Sequence, residues 1–333
     1  MLKILILGGT TFLGPHLVHD LQENGHEVTL FNRGTQSNHF TNVEQLHGDR
    51  DGNLEALKGK NWDAIIDTSA TLPRLVQDSS EFLAHSTKHY TFISSIGVYQ
   101  DFHQPKINED YPLAKLEDEK SEEITEKTYG GLKAACEKII LDYFPNSCLI
   151  IRPGLIIGPL DPTERFSYWP IRIEKGGDIL APAPSDQLLQ YIDARDLAKW
   201  IVAMIEQKAT GIYNATGPDA PITFEKVLRT CQHVSTKNST FTWAAEDFLI
   251  EHHVQDWTEL PLWLSSKRNM PGFLNVSIDK ALQAGLVYRP LSETIQAILA
   301  WDKKRGSKSG KIGLNPDKEQ TLLKLLKEEQ RIL

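Results

Sequence analysis

Cysteine is scarce in this chain: Cys136, Cys148 and Cys231 are its only three, and no two stand in a C-x-x-C spacing. That excludes a disulfide framework, points to a reducing compartment and leaves no expectation of a metal site. No apolar run is long enough to span a bilayer, so no membrane partner is expected. The N-terminal "MLKILIL" is too short for the apolar part of a leader, and no small-residue cleavage site follows it; the expected location is cytoplasmic. Positive charge is also lacking. Lys and Arg number 36 against 44 Asp and Glu, a formal net charge of -8. A protein that grips nucleic acid by neutralising phosphates shows the opposite balance, so no nucleic-acid partner is expected. No internal repeat is present, and the charged stretch "EDEKSEEITEK" (117–127) reads as solvated surface.

With 333 residues, 40% of them hydrophobic, the chain can build one large or two modest domains with ample core. The first half alternates two kinds of segment. Short apolar or β-branched runs lie at 3–7, 27–32, 43–48, 63–67, 90–95 and 148–153, with helical patterns near 12–24, 74–87 and 130–144. Near-continuous apolar strands alternating with helices predict an α/β fold, a Rossmann-type doubly wound parallel sheet covered on both faces. The second half is less regular, with helical patterns near 194–207, 223–234, 278–284 and 292–304, and a strand in "GIYNATG" (211–217). We expect residues 1–155 plus about 188–217 to form the dinucleotide-binding domain. Residues of about 156–187 and 218–310 would form a smaller C-terminal α/β substrate-binding domain, and 311–333 a peripheral helix.

The stretch "ILGGTTFLG" (6–14) joins the first strand to the first helix. Glycines there permit a tight turn and a close approach of backbone N–H groups to a pyrophosphate, at a helix N-terminus that favours negative charge. Gly8, Thr10, Thr11, Phe12 and Leu13 are the expected cofactor contacts of this loop. The second strand ends "FNRG". NAD-selective sites place an acid there for the ribose 2′-hydroxyl; Asn32 and Arg33 stand instead, and a guanidinium suits a 2′-phosphate. NADP(H) is therefore favoured, with NAD(H) as the alternative. Asp49 in "GDRD" is placed to meet the adenine edge or to cap its loop. "YGGLK" puts Tyr129 and Lys133 at i, i+4 on one helix face, and "FISSIGVY" ends the fifth strand with Ser94 and Ser95 at the edge where such sheets bind ligands. A tyrosine hydroxyl is a poor base at neutral pH, but a neighbouring ammonium favours its phenolate, so Tyr129 can exchange a proton while a nicotinamide exchanges hydride.

Together these residues resemble the extended short-chain dehydrogenase/reductase superfamily, in its NAD(P)-dependent epimerase/dehydratase-like branch, over roughly residues 1–300. The resemblance implies a catalytic set of Ser95, Tyr129 and Lys133, with Ser95 also touching substrate. It implies that Ser69, Ala70, Tyr129, Lys133 and Pro153 of "IRPGLIIGP" (151–159) meet the cofactor. "QYIDARDLA" (190–198) resembles a further family stretch, and a homodimer is the family's analogy. Two departures stand out. Thr11 replaces the middle glycine of the loop, as in members that carry "GGT-x-FLG", among them chloroplast stem-loop-binding proteins. Leu189 stands where sugar-nucleotide enzymes carry a phosphate-binding Arg. "DPTERFSYWP" (161–170) offers Arg165, Tyr168 and Trp169 to a substrate pocket instead.

The leading expectation is an oxidoreductase acting on a small alcohol or ketone, with Tyr129 as acid/base. The first alternative is a sugar (nucleotide) epimerase/dehydratase with tightly bound cofactor; a dehydratase ranks lower because "SSIGVY" supplies no acid pair. The second alternative is a non-catalytic dinucleotide sensor or RNA-binding protein.

Overall fold

Strands covered on both faces need apolar side chains at nearly every position, and the first-half runs supply them. The computed structural model describes residues 1–35, 40–306 and 312–332. Lys3–Leu7 (β1), Glu27–Asn32 (β2), Glu44–His47 (β3), Ala64–Asp67 (β4), Tyr90–Ile93 (β5) and Cys148–Pro153 (β6) join Gly211–Ala215 in one seven-stranded sheet. From the Gly211–Ala215 edge the order is β6, β5, β4, β1, β2, β3, and every pairing is parallel. This is the doubly wound parallel sheet expected. β4 and β6 are buried along their whole length, and β1 from Ile4 onward.

Sequence order reverses between β1 and β4. Right-handed crossovers on either side of that point put helices on opposite faces. Leu13–Glu23 (α1) packs with the Ala194–Glu206 helix, and Pro73–Leu83 (α2) packs with Tyr129–Tyr143 (α3). Leu5, Leu7, Ile65, Phe92 and Ile150 share a core with Val76 and Leu83 of α2 and Cys136 and Ile140 of α3. Leu7 lies opposite Phe31 on one side and Asp67 on the other, so the carboxyl ends of β1, β2 and β4 open together.

The chain divides into two units. The first contains Met1–Gly154, Ala194–Thr216 and Val276–Val287; the second contains Leu155–Asp193, Gly217–Asn275 and Tyr288–Leu333. The return to the first unit starts at Ala194 rather than near 188. Leu188–Leu189 pairs with Ile222–Thr223, and Ile192–Asp193 with Ile156–Ile157, all within the second unit. Val276–Val287, expected with the substrate domain, belongs to the first unit, where the Asp279–Gln283 helix packs on the Gly211–Ala215 strand. In the second unit Gly177–Pro182 pairs in parallel with Ser239–Ala244. The C-terminal Pro316–Ile332 helix is integral rather than peripheral: Leu322, Leu323 and Leu326 are buried in that unit's core, and Glu319 pairs with Arg172 at 2.7 Å. All three cysteines are buried and free.

One polar network crosses the first unit's interior. Arg152 on β6 is 1% exposed and donates to both Glu137 oxygens on α3, at 3.0 and 2.7 Å. It also donates to the Tyr99 hydroxyl at 3.2 Å and the Glu109 carbonyl at 3.0 Å. Tyr99 in turn donates to Asn214 Oδ1 at 2.6 Å. These bonds tie α3, the chain after β5 and the Gly211–Ala215 strand to β6. Removing one charge strands its partner in a low-dielectric interior, whereas replacing both with apolar side chains does not. Arg152→Met should therefore cost about 3–5 kcal/mol, and Arg152→Met with Glu137→Leu clearly less, as read by urea denaturation.

Candidate functional site

The loop after β1 is shaped by its glycines. Gly8 and Gly9 sit at φ +95° and +77°, a region costly for other residues, and a Cβ on Gly14 would lie 2.3 Å from the Gly9 carbonyl oxygen. Gly14 thus lets the first turn of α1 close onto the loop. Thr11 is not among the residues with positive φ; the left-handed position falls on Phe12, at φ 45°. A side chain is therefore accommodated at Thr11, which is exposed. No N-cap side chain bonds the start of α1, and its first turn holds no acid to oppose an anion there. Leu13 is only 6% exposed, which leaves its backbone rather than its side chain for any ligand.

The turn after β4 braces this loop. Gly9 N–H donates to Thr68 Oγ1 at 3.2 Å, and Thr68 Oγ1 and Ser69 Oγ donate to the Leu7 carbonyl at 3.0 and 3.3 Å. The turn is set by Asp67, wholly buried, whose Oδ1 accepts from Ser69 N at 3.2 Å. Arg50 meets that carboxylate in a two-bond fork at 2.8 and 2.6 Å and reaches Ser79 Oγ at 2.7 Å, while the Tyr90 hydroxyl adds a bond at 2.9 Å. Burial alone would raise the Asp67 carboxyl; the charge and hydrogen bonds of Arg50, with Tyr90 and Ser69, hold it below the usual range. Sequence reasoning missed Arg50. Its signal was an acid closing an apolar strand, which demands a counter-charge.

At the end of β2, Arg33 is exposed and no acid is present. Asn32 Oδ1 accepts from Gly34 N at 2.8 Å, while its Nδ2 is buried without a partner. Asp49 exchanges backbone bonds with Asn53 and accepts from Asp51 N at 3.1 Å, so it caps its loop.

Ser95, Tyr129 and Lys133 come together at the end of β5. Ser95 accepts from Gly97 N at 3.0 Å, which leaves its own proton free to donate. A Cβ on Gly97 would lie 3.2 Å from Ser95 Oγ and 3.4 Å from Tyr129 Cε1, so both side chains border this glycine. α3 reaches it because residue 130 is glycine: a Cβ there would fall 2.3 Å from the Gly97 carbonyl oxygen. Burial pushes the Tyr129 phenol up, and the Ser95 hydroxyl works in the opposite direction. One turn further, Lys133 Nζ donates to the carbonyls of Ala70 and Ile93, at 2.7 and 2.8 Å, and lies over the Phe92 ring. Burial lowers its pKa to about 8. Pro153 ends β6, buried.

The second unit holds the remaining expected residues. Trp169 is wholly buried, its indole N–H bonded to the Pro261 carbonyl at 2.7 Å and its ring edge-on to Phe224. It is a packing residue rather than a pocket wall. Tyr168 packs against Gly313 and lines a cavity of about 1080 Å³ with Arg172 and Glu319. Arg165 lies over the ring of Trp257, 5.5 Å from its centroid. Among the described residues, no group of acidic, histidine and cysteine side chains could hold a metal ion, and no helix is long and apolar enough to cross a membrane.

Comparison with known proteins adds three findings. The model of the NAD dependent epimerase/dehydratase family matches residues 4–216. The chain is 27% identical over 251 residues to the chloroplast stem-loop binding protein of 41 kDa b of Arabidopsis thaliana, a match covering 69% of this chain and 62% of that protein. The chain thus spans about three fifths of the length of the curated relative it matches. Among solved structures it is similar to the enzyme WbmH of Bordetella bronchiseptica in complex with NAD+ (14% identity, TM-score 0.67, covering 92% of this chain and 99% of that one). It is also similar to UDP-glucuronic acid 4-epimerase of Bacillus cereus in complex with NAD (16% identity, TM-score 0.66, covering 91% and 99%). The solved structures share its fold.

Because Gly130 has no room for a side chain, Gly130→Ala should push α3 away from Gly97. We expect a loss of about 1–3 kcal/mol by urea denaturation; unchanged stability would mean that this contact does not set the helix position.

Proposed function

Because the chain belongs to the NAD dependent epimerase/dehydratase family, we propose that it binds a nicotinamide dinucleotide at the carboxyl edge of its seven-stranded sheet. We propose further that it oxidises and re-reduces one carbinol carbon of a small-molecule substrate, as an epimerase does. The observation that carries this reading is the convergence of Ser95 and Tyr129 around Gly97, with Lys133 anchored one helical turn away. The family, and the epimerases among similarly folded structures, favour it over net oxidation or reduction.

The residues fit such a cofactor. Gly8 and Gly9 present backbone where side chains would clash, and the uncapped start of α1 suits a pyrophosphate. The buried, unpartnered Asn32 Nδ2 offers a donor at the end of β2. Arg33, with no acid beside it, supports NADP(H) by charge; NAD(H), the cofactor of the similar solved structures, is the second reading. When bound, the nicotinamide supplies the acceptor and donor of hydride. Tyr129 takes the proton of the substrate hydroxyl and gives it back, and Ser95 donates to the same oxygen. The Lys133 ammonium, its position held by two carbonyls, favours the phenolate that proton transfer requires. Net oxidoreduction of a small alcohol or ketone is the alternative, supported by Leu189 in place of a phosphate-binding Arg. The acidic balance supports a small-molecule partner rather than RNA.

Two experiments test this. With UDP-glucuronic acid or UDP-glucose as probe, an epimerase yields an isomer by NMR with no net change in the reduced-nicotinamide absorbance; a net change selects the oxidoreductase. Tyr129→Phe should lower either rate by about 10²–10⁴-fold. In fluorescence titrations NADPH should bind more tightly than NADH. Binding that uses the Lys133 cation is fully present below its free-state pKa of about 8 and weakens as pH rises through it. Lys133→Met should flatten that profile; binding without pH dependence would remove the ammonium from the cofactor site.

A further inference from the structure

Arg165, in the second unit, has no ion-pair partner among the described residues. Its Nε is buried with no hydrogen-bond partner, and no carboxylate stands within ion-pair distance among the described residues. Burial lowers its pKa, with only Asp161 opposing. The acids nearest in sequence are committed elsewhere. Asp161 accepts from Thr163 N at 2.8 Å and from Thr163 Oγ1. Glu164 receives a fork from Arg305 at 2.6 and 2.7 Å. Asp256, next to Trp257, receives one from Arg268 at 2.7 and 2.9 Å. Arg165 is half-buried; shielding its Nε from water without a partner carries a cost, and stacking on one indole returns only part of that.

The backbone around it is strained. Leu160, Glu164, Trp257 and Leu262 all have positive φ, at 71°, 53°, 61° and 71°. Bulky residues seldom adopt this region, and such outliers gather at ligand sites. The two loops concerned are those that carry Arg165 and Trp257, and they are tied together through the Trp169 indole on the Pro261 carbonyl.

We propose that Arg165, laid over Trp257, is an anion-recognition site, and that its ligand is a carboxylate or phosphoryl group. With its Nε buried, the guanidinium offers its two Nη groups for a two-bond contact with that group. Calling the group part of the substrate rests on the functional reading above; the anion site does not. Trp257, rather than the expected Trp169, is its aromatic partner.

The test is calorimetric titration of the full chain with glucuronate (the carboxylate source), with inorganic pyrophosphate (the phosphoryl source) and with glucose as control. The native chain should bind one of the anions and not glucose, and the anion that binds identifies the group. Arg165→Met should lose roughly tenfold or more in affinity, with Arg165→Lys in between. Failure of both anions to bind, or native affinity in Arg165→Met, overturns the proposal. Should Arg165→Met fail to fold by circular dichroism, phenylglyoxal labelling of the native chain decides: the bound anion should slow modification of Arg165, mapped by mass spectrometry, and no protection overturns the site. NADPH titration of the same samples separates the two readings. Loss of dinucleotide binding with anion binding intact would sink the proposed function alone.

Discussion

The buried pair of Arg50 and Asp67 is the interaction on which the carboxyl edge of the first unit's sheet depends. Asp67 ends β4 at the point where strand order reverses, and its carboxylate organises the turn that follows. From that turn, Thr68 and Ser69 brace the glycine loop, and the Ala70 carbonyl receives Lys133. One ion pair thus sets two things in register: the backbone of the glycine loop and the carbonyl that anchors the Lys133 ammonium. An isolated carboxylate could not stay ionised at that depth. Arg50 keeps it charged, and the charge keeps the turn in place.

The same logic recurs one turn further along α3. Glu137 lies one turn beyond Lys133 and is paired with Arg152, so the helix that carries Tyr129 is held by charge at one point and by two carbonyls at another. Gly130 allows the close approach, and these bonds fix its direction. Buried ion pairs contribute little net stability compared with apolar packing, but they penalise every arrangement that separates them. For a helix that brings Tyr129 against Gly97 beside Ser95, that penalty fixes the position.

Much of this was legible in the sequence, for physical reasons. A strand buried on both faces cannot tolerate polar residues, so its apolar run marks it; β1, β2 and β6 match the expected ranges, and the other strands differ by one or two residues at their ends. Glycines at forced positions are equally readable. Long-range polar pairing is not. Nothing local tells that Arg50 turns inward to Asp67, or that Arg152 needs Glu137, since each requires knowing which strands are neighbours. The return of Val276–Val287 to the first unit was hidden for the same reason. Trp169 shows a different limit. Its position in an aromatic, charged segment suggested a pocket, but a large indole is as useful to a core as to a site, and only the bonded N–H and full burial separate the two.

Thr11 clarifies what the glycine loop requires. A glycine at that position would be necessary only if the chain turned left-handed there. Here the turn is taken one residue later, by Phe12, a bulky side chain in a region such residues avoid. The conformational cost has moved rather than vanished, and it is met by the packing of Leu13 and Gly14 directly behind. The comparable outliers Leu160, Trp257 and Leu262 lie in the second unit, in the loops around Arg165. The other described non-glycine residues with positive φ, Asn42, Lys106, Glu164, Lys208, His253 and Asn269, are polar, so the bulky apolar residues held in this region are those of the glycine loop and of the loops that carry Arg165 and Trp257.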